Sequence, residues 1–228
     1  MNTTNSKKVV PTKKRILVVD DHPITRQGLA LLIRAEADLM VCGEAENAQQ
    51  ALAALNPPLP DLILTDITMP GKSGLELIKD IRVLHPNIPV LVMSMHDESL
   101  YAERVLRAGA NGYIMKSEGG SKVLEAIRQI LQGQISVSKN LSESLMIQLV
   151  RGRPHREDLQ LSQLTDREFG VFQLLGQGLI TRDIGKRLHI SPKTVETHRM
   201  HIKEKLGIKN SAELVNQAVR WAMTNQLI

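Results

Sequence analysis

From Arg15 onward the chain alternates two textures, and no other feature narrows the choice of fold as much. Short apolar runs stand at Ile16–Val19, Leu39–Cys42, Leu62–Leu64, Val90–Met93 and Gly112–Met115. Between them lie helical periodicities at Ile24–Ala35, Ala48–Leu55, Leu75–Leu84, Leu100–Ala108 and Val123–Leu131. Strands alternating with helices at this spacing make βα units on a parallel sheet. Ile16-Leu17-Val18-Val19, apolar at consecutive positions, suits a strand covered on both faces. The expected fold is α/β, a doubly wound five-stranded parallel sheet over residues 13–135, preceded by a basic tail at 1–12.

After Gly133 the texture changes. Serines surround one short amphipathic piece (Leu141, Leu145, Ile147, Leu149), so residues 136–160 are expected to be a linker with a short helix. From Leu164 only helical patterns remain. Thr165 and Glu168 form a capping box, and Gly176 and Gly178 close that helix. Thr181–Leu188 follows, then a turn, then a helix opened by Pro192 and ended by Gly207. Ser211–Thr224 is the last. Residues 161–228 are thus expected to form a small all-α, helix-turn-helix domain. Leu214, Ala218, Trp221 and Ala222 are either its core or a dimer face.

Charge divides along the same line. Residues 15–135 carry −4, whereas residues 1–14 and 162–228 carry +4 each. An acidic body with a basic helical module fits a nucleic-acid binder that has a separate non-binding domain. The single cysteine, Cys42, excludes an intrachain disulfide and points to a reducing compartment. No apolar run approaches the ~18 residues of a membrane span, and Ile16–Val19 is too short for a signal peptide. The expected location is the cytoplasm, without a membrane partner.

Three carboxylates fall at strand ends: Asp20 and Asp21 after the first, Asp66 after the third. In an open α/β sheet, the carboxyl ends of strands flanking the switch in strand order share one crevice. Their mutual repulsion calls for a cation, and Mg²⁺ with its preference for oxygen suits them. Ser94 ends the fourth strand and Lys116 the fifth. Together these groups can accept a phosphoryl group: a carboxylate nucleophile, a metal, a hydroxyl and a lysine. Singly, each acid could be an ordinary helix cap; five such residues on four strand ends are poorly explained that way. Gly71-Lys72-Ser73 resembles the end of a P-loop but lacks its first glycine. His22 is expected to cap or face solvent. Thr68 and His96 would flank a phosphoryl group on Asp66 and could set its lifetime.

On the third C-terminal helix, Val195, Ile202 and Leu206 fall on one face, as core residues do. Lys193, Thr197, Met200 and Glu204 fall opposite. Such an outer face suits a recognition helix. Lys193, Arg199, Lys203, Lys205 and Lys209 could meet phosphates, and Glu196, Thr197 and Met200 could reach bases. An ordinary solvated face would look similar. His198 and His201 have no third ligand to complete a metal site.

Val19-Asp20-Asp21-His22-Pro23, Asp66-Ile67-Thr68-Met69-Pro70-Gly71, Ser94-Met95-His96-Asp97 and Gly112-Tyr113-Ile114-Met115-Lys116 resemble, in order, the four signatures of the two-component receiver domain. The resemblance implies a flavodoxin-like fold, Asp66 as phosphoacceptor, and Mg²⁺ held by Asp20, Asp21, Asp66 and the Ile67 carbonyl. It makes Ser94, Tyr113 and Lys116 the switch. Ser117 stands where many receivers carry a cis-proline. Leu164-Thr165-Asp166-Arg167-Glu168, Ile184-Gly185-Lys186-Arg187-Leu188, Ile190-Ser191-Pro192-Lys193-Thr194-Val195-Glu196-Thr197-His198 and Lys205-Leu206-Gly207 resemble the LuxR-type DNA-binding domain. Gly170 and Phe172 depart from that family's usual first helix. DNA contact then falls to Lys193, Thr194, Glu196, Thr197, Arg199, Met200, Lys203 and Lys205.

Together the modules resemble a bacterial response regulator with a LuxR-type output domain (NarL/FixJ-like), a regulator rather than an enzyme. The implied partners are a sensor histidine kinase, double-stranded promoter DNA, RNA polymerase and, once phosphorylated, a second copy of the chain. Two alternatives remain. One is a phosphohydrolase with Asp66 as transient nucleophile, although Thr68 occupies the place of its usual second acid. The other is a DNA-binding protein whose receiver is a phosphorylation-independent interaction module.

Overall fold

The computed structural model describes residues 13–95, 98–143, 146, 161, 163–188 and 190–224. The chain divides into two compact units between Glu143 and Ser144. The expected basic tail, His96, His189 and most of the linker, including Leu145, Ile147 and Leu149, lie outside the described residues. No helix among the described residues is long and apolar enough to cross a membrane.

In the first unit, β1 (Lys14–Val19), β2 (Leu39–Ala45), β3 (Leu62–Thr65), β4 (Val90–Ser94) and β5 (Gly112–Met115) form one parallel sheet in the order β2-β1-β3-β4-β5. The helices between and after them are α1 (Pro23–Arg34), α2 (Ala48–Ala53), α3 (Gly74–Leu84), α4 (Glu98–Arg107) and α5 (Gly120–Leu131). Ile16, Val18, Leu62, Leu64 and Leu91 pack with Ile33, Val123, Ile127 and Ile130. The intervening Leu17, Val19, Ile63 and Val92 are equally buried. Both faces are therefore covered, as the unbroken apolar runs require.

Strand register places the acids. Val19 pairs with Thr65 at the end of the β1–β3 ladder, so Asp20 and Asp66 leave the sheet side by side. The main-chain N–H of Asp66 donates to the Val19 carbonyl at 2.9 Å. Beyond Asp66 the chain doubles back into α3, which Ser73 opens with Glu76 in a capping box. Gly74 packs so tightly there that a Cβ would lie 2.0 Å from the Asp66 carbonyl oxygen. Only glycine leaves the Asp66 main chain undisturbed.

The start of the expected linker belongs structurally to the sheet. Ser136 bridges Gly112 in parallel, accepts the Tyr113 N–H at 2.9 Å and donates its own to Asn111 at 3.0 Å. Residues 139–143 are helical, with Leu141 buried. Serine-rich composition concealed this because the contacts are made mostly by main-chain groups, which every residue carries.

The second unit contains α6 (Asp166–Gly176), α7 (Thr181–Arg187), α8 (Pro192–Leu206) and α9 (Ser211–Thr224). Thr165 and Glu168 form the capping box of α6, and Ser191 caps α8. Gly207, at φ 68°, ends α8 in the left-handed conformation that glycine adopts without strain. Val195 and Ile202 are fully buried and Leu206 nearly so. Leu214, Ala218, Trp221 and Ala222 are core residues, not an exposed dimer face. Trp221 meets Phe169 edge-on at 5.4 Å and Phe172 at 5.7 Å. Phe172 and Gly170, the two departures in the first helix, are both buried.

Candidate functional site

At the carboxyl edge of β1, β3 and β5, one lysine bridges two acids. Lys116 Nζ donates to Asp20 Oδ2 and to Asp66 Oδ2, each at 2.7 Å. All three side chains are buried or nearly so, at 9% exposure for Lys116, 1% for Asp20 and 5% for Asp66. The other oxygen of Asp66 accepts the main-chain N–H of Ile67 at 2.6 Å and of Thr68 at 3.3 Å. Asp20 Oδ1 accepts the His22 N–H at 2.8 Å.

The electrostatics are unbalanced. Burial pushes the Asp66 carboxyl above its usual range, against the pull of Lys116. Burial also works against the charge on Lys116, but Asp66 and Asp20 outweigh it and hold the ammonium above the ordinary lysine range. A third acid, Asp21, shares the edge. Ligand atoms of Asp20, Asp21, His22 and Asp66 all lie within 4.8 Å of one another. Asp21 Oδ1 is buried without a hydrogen bond, although His22 Nδ1 stands 2.8 Å away. Three carboxylates this close together, with one lysine between two of them, fit a hard divalent cation.

Each expected residue of this site except His96, which lies outside the described residues, can be located. Asp20, Asp21, Asp66 and Lys116 come together as the strand ends foretold. Ser94 and Tyr113 are buried on β4 and β5. The Ile67 carbonyl accepts the Gly74 N–H at 2.8 Å where α3 begins, which leaves its second lone pair. Side-chain types carry no sign of that main-chain bond. His22 stands at the N-cap position of α1, exposed, and makes no side-chain cap hydrogen bond. Arg26, which sequence reasoning passed over, donates from Nη1 to the Asp20 carbonyl at 2.5 Å. An arginine in the first turns after the acidic pair was its only trace in the sequence.

In the second unit, α8 presents Lys193, Thr194, Glu196, Thr197 and Met200 to solvent. Lys203 is half-buried and makes no ion pair among the described residues. Two of the cations expected to meet phosphates are instead tied within the domain. Arg199, only 16% exposed, donates to Thr181 Oγ1 at 2.8 Å and to Glu196 Oε1 at 2.9 Å. Thr181 also donates to Glu196, at 2.6 Å. Lys205 Nζ donates to Glu168 Oε2 at 2.6 Å, and the Thr165 N–H reaches the same oxygen at 2.7 Å. Although burial opposes ionisation, these donors hold the Glu168 carboxyl below its usual range. Burial pushes the His198 imidazole down.

Residues 16–128 match the response regulator receiver domain family, and residues 162–218 match the bacterial regulatory proteins of the luxR family. The response regulator GacA of Pseudomonas aeruginosa is 33% identical over 211 residues, covering 92% of this chain and 98% of that protein. The oxygen regulatory protein NreC of Staphylococcus haemolyticus is 32% identical over 211 residues, covering 90% of this chain and 97% of NreC. Among solved structures, a complex of the two-component response regulator RcsB with DNA superposes with a TM-score of 0.54 at 25% identity, covering 90% of this chain and 96% of RcsB. With the sheet order, the lysine-bridged acids and the helix-turn-helix unit in agreement, the chain belongs to the LuxR-type two-component response regulators, a receiver domain followed by a LuxR-type regulatory domain.

Proposed function

We propose that this chain is a phosphorylation-gated, DNA-binding transcription regulator working in the cytoplasm, and that a sensor histidine kinase transfers a phosphoryl group to Asp66. The observation that carries the reading is the lysine bridge, with a buried carboxylate held by two main-chain N–H groups on one oxygen and by Lys116 on the other. An Asp66 oxygen attacks phosphorus, the bond from phosphorus to the donor imidazole breaks, and the leaving nitrogen is protonated. Asp20, Asp21 and Asp66 would hold Mg²⁺, which when bound supplies positive charge to the phosphoryl oxygens. The Ile67 carbonyl, whose oxygen keeps a second lone pair beside its bond to the Gly74 N–H, would complete that set. Lys116 is already within reach of Asp66, so its ammonium can follow the new charge. Ser94 and Tyr113, buried on neighbouring strands, are the residues through which the change spreads. Differential affinity for the two states then couples the site to DNA binding.

On α8, the exposed Lys193, Thr194, Thr197 and Met200, with Glu196 and Lys203, form the DNA-facing surface. RcsB, a similar chain, is known in complex with DNA. Binding as a phosphorylation-dependent homodimer on two half-sites, and contact with RNA polymerase, complete the proposal. Incubation with acetyl phosphate and Mg²⁺, followed by intact mass, tests it. A persistent adduct of one phosphoryl group, lost in Asp66→Ala, is expected. Continuous turnover of the donor would instead identify a phosphohydrolase, and no adduct a phosphorylation-independent module.

A further inference from the structure

We propose that Arg26 is a positioning residue for the acidic turn, holding the Asp20 main chain so that Asp20, Asp21 and Asp66 stay at the spacing a divalent cation needs. The role rests on reading those three acids as a Mg²⁺ site. Asp20 follows the last residue of β1, and no main-chain N–H among the described residues donates to its carbonyl. The Arg26 guanidinium does, at 2.5 Å, from a side chain only 15% exposed. The N–H of the same residue donates to the His22 carbonyl at 3.0 Å, the first bond of α1. Arg26 thus fastens both ends of the turn at residues 20–22. Without it the buried Asp20 carbonyl loses its donor, and such groups are seldom left unpaired.

The choice of acceptor matters. Lys116 occupies carboxylate oxygens, which a metal would have to share or displace. Arg26 binds a main-chain oxygen and leaves the carboxylates available. Its other acidic neighbour is loose: Glu44 Oε2 lies 3.9 Å from Nε, and Glu44 Oε1 is taken by Arg34 at 2.9 Å. The carbonyl contact, not a surface ion pair, is what Arg26 contributes.

Mg²⁺ titration of the full chain by calorimetry, on wild type, Arg26→Ala, Arg26→Gln, Arg26→Lys and Glu44→Ala, tests this. Loss of a supporting hydrogen bond behind a metal ligand typically weakens affinity about 10-fold or more. That loss is expected in Arg26→Ala and Arg26→Gln, with partial recovery in Arg26→Lys and wild-type affinity in Glu44→Ala. Phosphoryl uptake from acetyl phosphate should fall at low Mg²⁺ and return at saturating Mg²⁺. Wild-type Mg²⁺ affinity in any folded Arg26→Ala or Arg26→Gln protein overturns the role of Arg26 alone. A loss in Glu44→Ala equal to that in Arg26→Ala also overturns it. Absence of Mg²⁺ binding by wild type overturns the metal reading and this role with it.

Discussion

The two units handle charge in opposite ways. In the receiver, one lysine bridges two of three clustered acids, and the residues proposed to act are the buried ones. In the LuxR-type unit, the ties are local and satisfied: Glu168 takes Lys205 and the Thr165 N–H, and Glu196 takes Arg199 and Thr181. There the residues proposed to act are, Glu196 apart, those left outside such ties. A buried excess of one sign is what the proposed cation and phosphoryl group would draw on. A balanced ion pair is architecture. Lysines of the same type therefore carry different meanings at positions 116, 205 and 193.

The largest contrast should appear on removing each cation. Lys116→Ala leaves Asp20 and Asp66 buried without their ammonium, which should cost about 3–5 kcal/mol in Mg²⁺-free urea unfolding. Added Mg²⁺ should restore more stability to this variant than it adds to wild type. Lys205→Ala breaks a pair whose lysine is one-third exposed, and about 1 kcal/mol is expected. Equal losses would erase the distinction between stored charge and architecture.

The two acids should also respond to pH with opposite signs. The carboxyl of Glu168 is depressed in the fold. Its stabilisation is therefore present above the ordinary glutamate range and lost as pH falls through the depressed value. Glu168→Gln should destabilise at neutral pH and become neutral in acid. The carboxyl of Asp66 is raised, so the stability linked to its protonated form is present in acid and lost as pH rises through the raised value. Asp66→Asn should therefore gain on wild type as pH rises, in Mg²⁺-free buffer. Unfolding curves across pH that moved both variants in the same direction would contradict the contrast.

Much of this was legible in the sequence, for identifiable reasons. Strands such as Leu62–Thr65 announce themselves because burial on both faces leaves no polar alternation. The acidic site follows from strand ends, since parallel register aligns whatever residue comes next. What was hidden depends on a neighbour's position. A helical wheel cannot say that Thr181 on α7 will take Arg199 or that Glu168 on α6 will take Lys205. Leu214 and Trp221 read equally as core or interface because both environments are apolar. The bond from the Gly74 N–H to the Ile67 carbonyl and the Ser136 bridge were invisible because main-chain groups carry no letter.

A smaller effect separates lysines on the DNA side. Removing a lysine that meets a phosphate lowers the salt dependence of binding by about one ion. Lys193→Ala should show that reduced slope with unchanged stability. Lys205→Ala should show the reverse. Anisotropy titrations over a range of salt, on DNA selected by this protein from a random pool, would decide it.

The central claim is that the buried acids and the exposed helix face are two ends of one switch. Its most direct test is the affinity for that selected DNA, measured with and without acetyl phosphate and Mg²⁺, alongside intact mass. Coupling between sites is typically worth about 5–150-fold in affinity. Phosphorylated wild type should bind at least about 5-fold more tightly, and Asp66→Ala should neither take up the phosphoryl group nor change its affinity. A stoichiometric adduct on Asp66 that left DNA affinity unchanged would contradict the claim.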